Sequence, residues 1–184
     1  MDHRLEFEQW IHKYVDRLTR LAYTYLRDWS ASEDVVQEAF IRAYESRSQL
    51  RNAENPFPWL ARIVVNQCKT LHRKTWREVI TDLLPERMTL GTEDTLLTKE
   101  KTSTIHHAIM ALPESLRTPL YLYYFEEMPT KEIAHVIGIS DGAVRIRLTR
   151  ARERFAAELK RREEDEYRGE VKASKIPIST PHRR

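Results

Sequence analysis

Apolar residues return at steps of three and four along most of the chain, and this periodicity restricts it to helices packed on helices. Between residues 5 and 26 the set Phe7, Trp10, Ile11, Tyr14, Val15, Leu18, Leu21, Ala22, Tyr25 and Leu26 falls on one stripe. A second helix is expected from Ser30, where Ser30 and Glu33 have capping-box spacing, with Val35, Val36, Ala39, Phe40, Ala43 and Tyr44 as its apolar side. Ser46 to Pro58 is polar, carries Asn52, Asn55 and two prolines, and reads as a loop. A third helix, from Pro58 or Trp59 to about Arg77, turns Leu60, Ile63, Val64, Gln67, Cys68 and Leu71 inward. Four glycines in 184 residues leave little material for the turns of a β-sandwich or barrel.

Residues 81–98 lose the strong periodicity and read as a linker. Beyond it, one helix leads from about Glu93 through Ile105, Ile109 and Met110 to Leu112. Another covers Glu114 to Phe125, with Pro119 either kinking it or setting its first full turn. The expected architecture is all-α: two small helical bundles over 1–80 and 99–163, joined by the linker at 81–98. After Glu163 the apolar pattern stops, and 164–184 is expected to be a disordered tail.

Several chemistries lack their residues. A lone cysteine, Cys68, excludes a disulfide framework and a multi-thiolate zinc site. His106 and His107 are adjacent, so they point to different faces and miss the i, i+4 spacing of a helical metal pair. No phosphate-cradling glycine loop, nucleophile elbow or pair of catalytic carboxylates emerges. The expectation is a protein with no enzymatic activity, catalytic residue, metal or cofactor. No apolar run approaches the ~20 residues of a membrane helix, and the N-terminus lacks an apolar signal core. A cytoplasmic protein without membrane insertion is expected.

The net charge of +3 is unevenly spread: five bases and no acid lie from Arg62 to Arg77, and eight bases against two acids from Arg145 to Arg162. By charge alone these are solvated helix faces; their clustering also suits a polyanion. The segment 130–155 decides between the two, because it has helix-turn-helix form. Thr130 is placed to cap its first helix, Ile133, Ala134 and Ile137 face inward, Gly138 permits the turn and Ile139 fills the corner. Ser140 or Asp141 caps the second helix, where Val144, Leu148, Ala151 and Phe155 form the buried stripe. The opposite face carries Ile146, Thr149 and Arg150, flanked by Arg145 and Arg147. An arginine takes guanine O6/N7 bidentately, and an apolar group meets the thymine methyl. Arg145, Arg147, Arg152 and Arg154 have the reach for phosphates.

The third helix carries a second polar stripe, Arg62, Asn66, Lys69 and Arg73, opposite its apolar side. It follows the Asn-rich loop Arg51 to Asn55, so loop and helix together are suited to hold nucleic acid and probe a base. Trp59 is in phase with Ile63 and reads as buried; Trp76 divides evenly between burial and base stacking.

Three segments in order, Ser32-Glu-Asp-Val-Val-Gln-Glu-Ala-Phe40, Pro58-Trp-Leu-Ala-Arg-Ile-Val-Val-Asn66 and Leu112-Pro-Glu-Ser-Leu-Arg117 ahead of the helix-turn-helix, resemble a bacterial extracytoplasmic-function (ECF) sigma factor of the two-domain type. The resemblance covers about residues 5–160. It implies a subunit that binds core RNA polymerase (β′ and β), recognises −10 and −35 promoter elements and starts transcription of a stress- or envelope-related gene set. It also implies an anti-sigma factor as partner. Asp34, Gln37, Glu38 and Ile41 match the family's docking positions for polymerase. Arg51, Asn52 and Asn55 match the loop that captures a flipped −10 base, and Arg62, Asn66, Lys69 and Arg73 match the helix along the non-template strand. Arg145, Ile146, Arg147, Thr149, Arg150 and Arg152 match the −35 reader; Ile146 stands where a small polar residue is frequent, which implies an unusual −35 preference. The rival reading is a stand-alone helix-turn-helix transcriptional regulator. It accounts for the second half of the chain and leaves Asp34, Gln37 and Glu38 without a purpose.

Overall fold

A computed structural model of the chain describes residues 3–50, 52–81 and 100–173. Seven helices carry the fold, and no strand occurs among the described residues: α1 His3–Leu26, α2 Trp29–Glu45, α3 Phe57–Thr81, α4 Glu100–Met110, α5 Glu114–Tyr124, α6 Thr130–Ile137 and α7 Asp141–Ala173. A 3-10 turn at Arg47–Gln49 opens the loop between α2 and α3. The expected linker falls almost wholly outside the described residues, as do the start of the helix expected from Glu93 and the tail from residue 174.

The helix starts show where local chemistry differs from the sequence-based expectation. Asp28, not Ser30, caps α2: its backbone is extended (φ −132°, ψ 121°) and its carboxylate accepts from the Ala31 N–H at 2.9 Å. Ser30 lies inside the first turn. α3 begins at Phe57, with Pro58 in the first turn, where a missing N–H costs no hydrogen bond. Pro119 is the sixth residue of α5 and so lies within the helix. Pro129 takes the N-cap position of α6, and Thr130 is its first helical residue rather than its cap. α7 continues to Ala173, ten residues into the stretch expected as tail. Beyond Phe155 ion pairs one turn apart, Arg161–Glu158 at 2.7 Å and Arg162–Glu158 at 2.9 Å, support the helix.

α1, α2 and α3 pack around Leu18, Leu21, Val36, Leu60 and Val64, all essentially inaccessible to solvent. α5, α6 and α7 close on Leu122, Ile133, Val144 and Leu148. A smaller cluster of Ile109, Leu112, Leu116, Leu120 and Ala151, with Phe155 against it, ties α4 and α5 to α7. The two bundles are pressed together, α3 on α6 and α1 on α5, and their apolar residues merge into one continuous core. This is why Ala61 and Val65 are buried beside the expected inward residues of α3: the helix is covered from two sides.

Polar groups stitch the same seam. Arg17 on α1 pairs with Glu126 after α5 at 2.5–2.7 Å, and the guanidinium lies 4.1 Å from the Phe57 ring centroid. The Thr24 and Thr118 hydroxyls meet at 3.2 Å. Arg117, 2% exposed, donates to the Thr24 carbonyl at 2.6 Å. Arg27, left-handed at φ 55° just beyond α1, donates to the Met110 carbonyl at the end of α4.

Candidate nucleic-acid interface

The helix-turn-helix is built as its sequence demands. Gly138 closes α6 in the left-handed region (φ 75°), a conformation a side chain would disfavour, and its N–H bonds the Ala134 carbonyl at 2.9 Å. Ser140 caps α7, its hydroxyl oxygen accepting from the Ala143 N–H at 3.2 Å, while the Asp141 carboxylate pairs with Arg145 at 2.8 Å. Val144, Leu148 and Ala151 are buried, which turns the other side of α7 to solvent. Ile146 stands 56% exposed there among the exposed Arg145, Thr149 and Arg150. The Thr149 hydroxyl donates back to the Arg145 carbonyl at 3.2 Å, which leaves the methyl for a partner.

Two of the expected flanking arginines are engaged elsewhere. Arg147 is half-buried and lies near enough to α3 for its charge to depress the proton affinity of Lys69. Arg152 donates from Nε to the Tyr124 hydroxyl at 2.9 Å, with its guanidinium within 5.8 Å of the Tyr123 and Tyr124 ring centroids. It therefore sits on an aromatic ledge at the end of α5, beside the exposed Phe125.

On α3 the stripe is present, but it does not stand uniformly open. Asn66, Lys69 and Arg73 are exposed and Arg62 is half-buried. Lys69 donates from Nζ to the Ile137 carbonyl at 2.5 Å, and burial is the main cause that lowers its pKa. Arg62 donates from Nη1 to the His135 carbonyl at 3.1 Å and lies 2.8 Å from His135 Nδ1. Both acceptors belong to the last turn of α6. Asn52 uses its side-chain oxygen to hold its own loop, accepting from the Glu54 and Asn55 N–H groups at 3.1 and 3.4 Å. Asn55 is exposed; Arg51 lies outside the described residues, as does the side chain of Trp76. A cavity of about 620 Å³ runs between loop, α3 and α6, lined by Asn52, Asn55, Trp59, Arg62, Glu132 and His135. Trp59, expected to be buried, is half-buried and forms part of this wall.

α2 offers a face of the opposite sign. Asp34, Gln37 and Glu38 are exposed one turn apart, Ile41 is 56% exposed beside them, and Glu38 is paired with Arg42 at 3.0 Å. Neither α3 nor the second bundle covers these side chains.

Models of the sigma-70 family match both halves of this arrangement, region 2 over residues 10–78 and region 4 over residues 103–155. The RNA polymerase sigma-H factor of Pseudomonas aeruginosa is 33% identical over 159 residues, covering 80% of this chain and 82% of that protein. The ECF sigma factor SigW of Bacillus subtilis is 30% identical over 159 residues, covering 80% of this chain and 85% of its own. The chain belongs to the ECF sigma factors. These are transcription initiation factors, and the all-helical two-bundle architecture is shared with solved members. The sigma factor RpoE of Bartonella quintana, solved with the anti-sigma factor NepR, superposes with a TM-score of 0.70 at 22% identity over 84% of this chain and 96% of that one. CnrH, solved with the cytosolic domain of CnrY, gives 0.60 at 23% identity over 86% and 90%.

The membership does not explain everything the sigma factor's structure contains. Arg117, the Arg17–Glu126 pair and the carbonyl end of α6 against α3 carry no local sequence signal, because each joins residues about 70 to 110 positions apart. Among the described residues no helix is long and apolar enough to cross a membrane, and no cluster of three potential metal ligands occurs.

Proposed function

We propose that this sigma factor binds core RNA polymerase (β′ and β) through Asp34, Gln37, Glu38 and Ile41, and that it reads promoter DNA at two places. Residues 1–80 then form the polymerase-binding and −10 unit, with Arg51, Asn52, Asn55, Arg62, Asn66, Lys69 and Arg73 on the DNA; residues 99–163 form the −35 unit, with Arg145, Ile146, Arg147, Thr149, Arg150 and Arg152. The linker at 81–98 joins them. The observation that carries this reading is the coexistence on one chain of an exposed acidic face with an apolar neighbour on α2 and an exposed arginine-rich face centred on Ile146 on α7. A stand-alone regulator needs only the second. The protein works in the cytoplasm, where its polymerase and DNA are, as a specificity subunit without catalysis or cofactor of its own. It switches on a stress- or envelope-related gene set, and an anti-sigma factor restrains it, as the complexes formed by the Bartonella RpoE and CnrH support.

The energetics favour a reader that depends on its polymerase. One short reading helix makes few base contacts, each bidentate pair contributing about 1–3 kcal/mol of discrimination. Two weak readers held on one large enzyme gain by effective concentration. The deciding experiment is run-off transcription with purified core polymerase on a promoter library, alongside direct association with the core. The expected result is a defined set of new start sites together with weak promoter binding by the free chain. Failure to associate with core polymerase, or association that leaves start sites unchanged, overturns the reading.

A further inference from the structure

Arg152 is held by aromatic rings of a different helix. Tyr123 and Tyr124, the last two residues of α5, meet edge to face with ring centroids 5.1 Å apart. Tyr123 is half-buried against the core and so steadies Tyr124, which is 52% exposed. The platform continues into Phe125, whose N–H bonds the Tyr121 carbonyl at 2.9 Å and whose ring stacks on Tyr121 at 5.2 Å. Arg152 reaches this platform from α7, one turn beyond Thr149 and two beyond Arg145. Its Nε donates to the Tyr124 hydroxyl at 2.9 Å, and its guanidinium carbon stands 5.7 and 5.8 Å from the two ring centroids.

A guanidinium carries its N–H donors in one rigid plane, with the Nε–H nearest the stem. Once that donor is on the tyrosine, the plane is set, and the Nη1 and Nη2 groups form the outer end of an exposed side chain. Such an end gives a phosphate two parallel hydrogen bonds. The pair is not needed to hold α5 on α7, because Leu116, Leu120 and Ala151 already pack there.

We propose that Tyr124 is a positioning residue for promoter binding: it seats Arg152 by Nε so that the Nη end meets a backbone phosphate beside the −35 element. The inference rests on the reading of α7 as the −35 helix and adds a residue from outside that helix. Tyr124 itself touches no DNA. Its contribution is that Arg152 has lost its rotamer freedom before the duplex arrives.

The test is a double-mutant cycle in the full chain: Tyr124→Phe, Arg152→Ala and the two combined. Fluorescence anisotropy with a labelled mixed-sequence DNA duplex reads affinity over a range of low salt concentrations. Arg152→Ala is expected to lower the slope of log affinity against log salt by about 1, the mark of one lost phosphate contact. Tyr124→Phe keeps the ring and the slope but weakens binding about 2- to 10-fold, the cost of immobilising one rotamer-rich side chain. In the Arg152→Ala background it weakens binding no further. Arg152→Lys, which keeps the charge and lacks the Nε seat, behaves like Tyr124→Phe. Tyr124→Phe that lowers Tm but not affinity marks a structural staple and overturns the proposal. Equal weakening in the Arg152→Ala background also overturns it, since Tyr124 then meets DNA in its own right. If Arg152→Ala leaves the slope unchanged, Arg152 is not on a phosphate and the proposal falls, while base reading by Ile146, Thr149 and Arg150 stands. Failure of the sigma-factor reading shows differently, as absent association with core polymerase while the cycle holds.

Discussion

Arg117 and Thr24 are joined by a hydrogen bond of 2.6 Å from the guanidinium Nε to the Thr24 carbonyl, which ties α5 to α1 through a cation that solvent barely reaches. The same side chain donates from Nη1 to the Met110 carbonyl at the end of α4 and to the Leu112 carbonyl beyond it, at 2.9 and 3.1 Å. Burial is the main cause, and Arg27 the next, that push its pKa down to about 10, still high enough to keep it charged at neutral pH. Arg117→Met strips three main-chain oxygens of a donor. The Met110 carbonyl keeps Arg27 as a donor, so two groups are left unsatisfied; at about 1–3 kcal/mol for each, with partial relaxation, the expected loss is about 2–4 kcal/mol in urea unfolding. Arg117→Lys recovers less than half of it, since one ammonium cannot span the three acceptors of a planar fork.

Gly138 is the second structural test. Its φ of 75° lies where an L side chain crowds the backbone, although a Cβ there meets no neighbour within 4 Å. The cost of substitution is therefore conformational and not a clash. Gly138→Ala is expected to lose about 1–2 kcal/mol, and Gly138→Asn clearly less, because asparagine tolerates the left-handed region. Thermal melts of the three proteins, compared at one pH, check the order.

The α1 and α7 stripes were legible in the sequence because a helix that buries one face writes its period into the chain. Val144, Leu148 and Ala151 are buried as expected, and Ile146 is exposed as expected. The missed buried residues, Ala61, Val65 and Val136, have a common cause: α3 and α6 are each covered on more than one side, and their contact joins segments about 70 residues apart. The extension of α7 to Ala173 is not legible for the opposite reason, since pairs among Glu158, Arg161, Arg162 and Asp165 support the helix without writing an apolar period into the chain. The spacing of Arg62, Asn66, Lys69 and Arg73 is visible in the sequence, but nothing local signals that Arg62 and Lys69 are bonded to another helix.

Cys68 reports on the integrity of the first bundle. Burial, helped by the Glu114 charge, pushes its thiol up from 9.0 to about 12. An acid with a raised folded-state pKa keeps its proton while the unfolded chain releases it, so its contribution is intact below pH 9.0 and fades as pH climbs towards about 12. The native chain is expected to resist iodoacetamide near neutral pH and to react once urea unfolds it, since the thiolate is the nucleophile. The stability gap between the natural chain and Cys68→Ala should shrink over the same alkaline window. Labelling followed by mass spectrometry and urea titrations at several pH values check both statements.

Arg150 and Arg154 separate base reading from phosphate anchoring on a single helix. Arg150 is exposed on the face that carries Ile146 and Thr149, whereas Arg154 lies about one turn further along, past the ledge where Arg152 is held by Tyr124. A guanidinium that meets a base edge contributes to the difference between sequences; one that meets a phosphate contributes equally to all of them. Arg150→Ala is expected to cost about 1–3 kcal/mol of discrimination between a cognate and a scrambled −35 duplex. Arg154→Ala should weaken both duplexes alike and reduce the slope of log affinity against log salt by about 1. Titrations of both variants, bound to core polymerase and at several salt concentrations, distinguish the two. Equal losses on cognate and scrambled DNA for Arg150→Ala would remove it from the reading face, leaving Ile146 and the Thr149 methyl as the groups there that can tell thymine from the other bases.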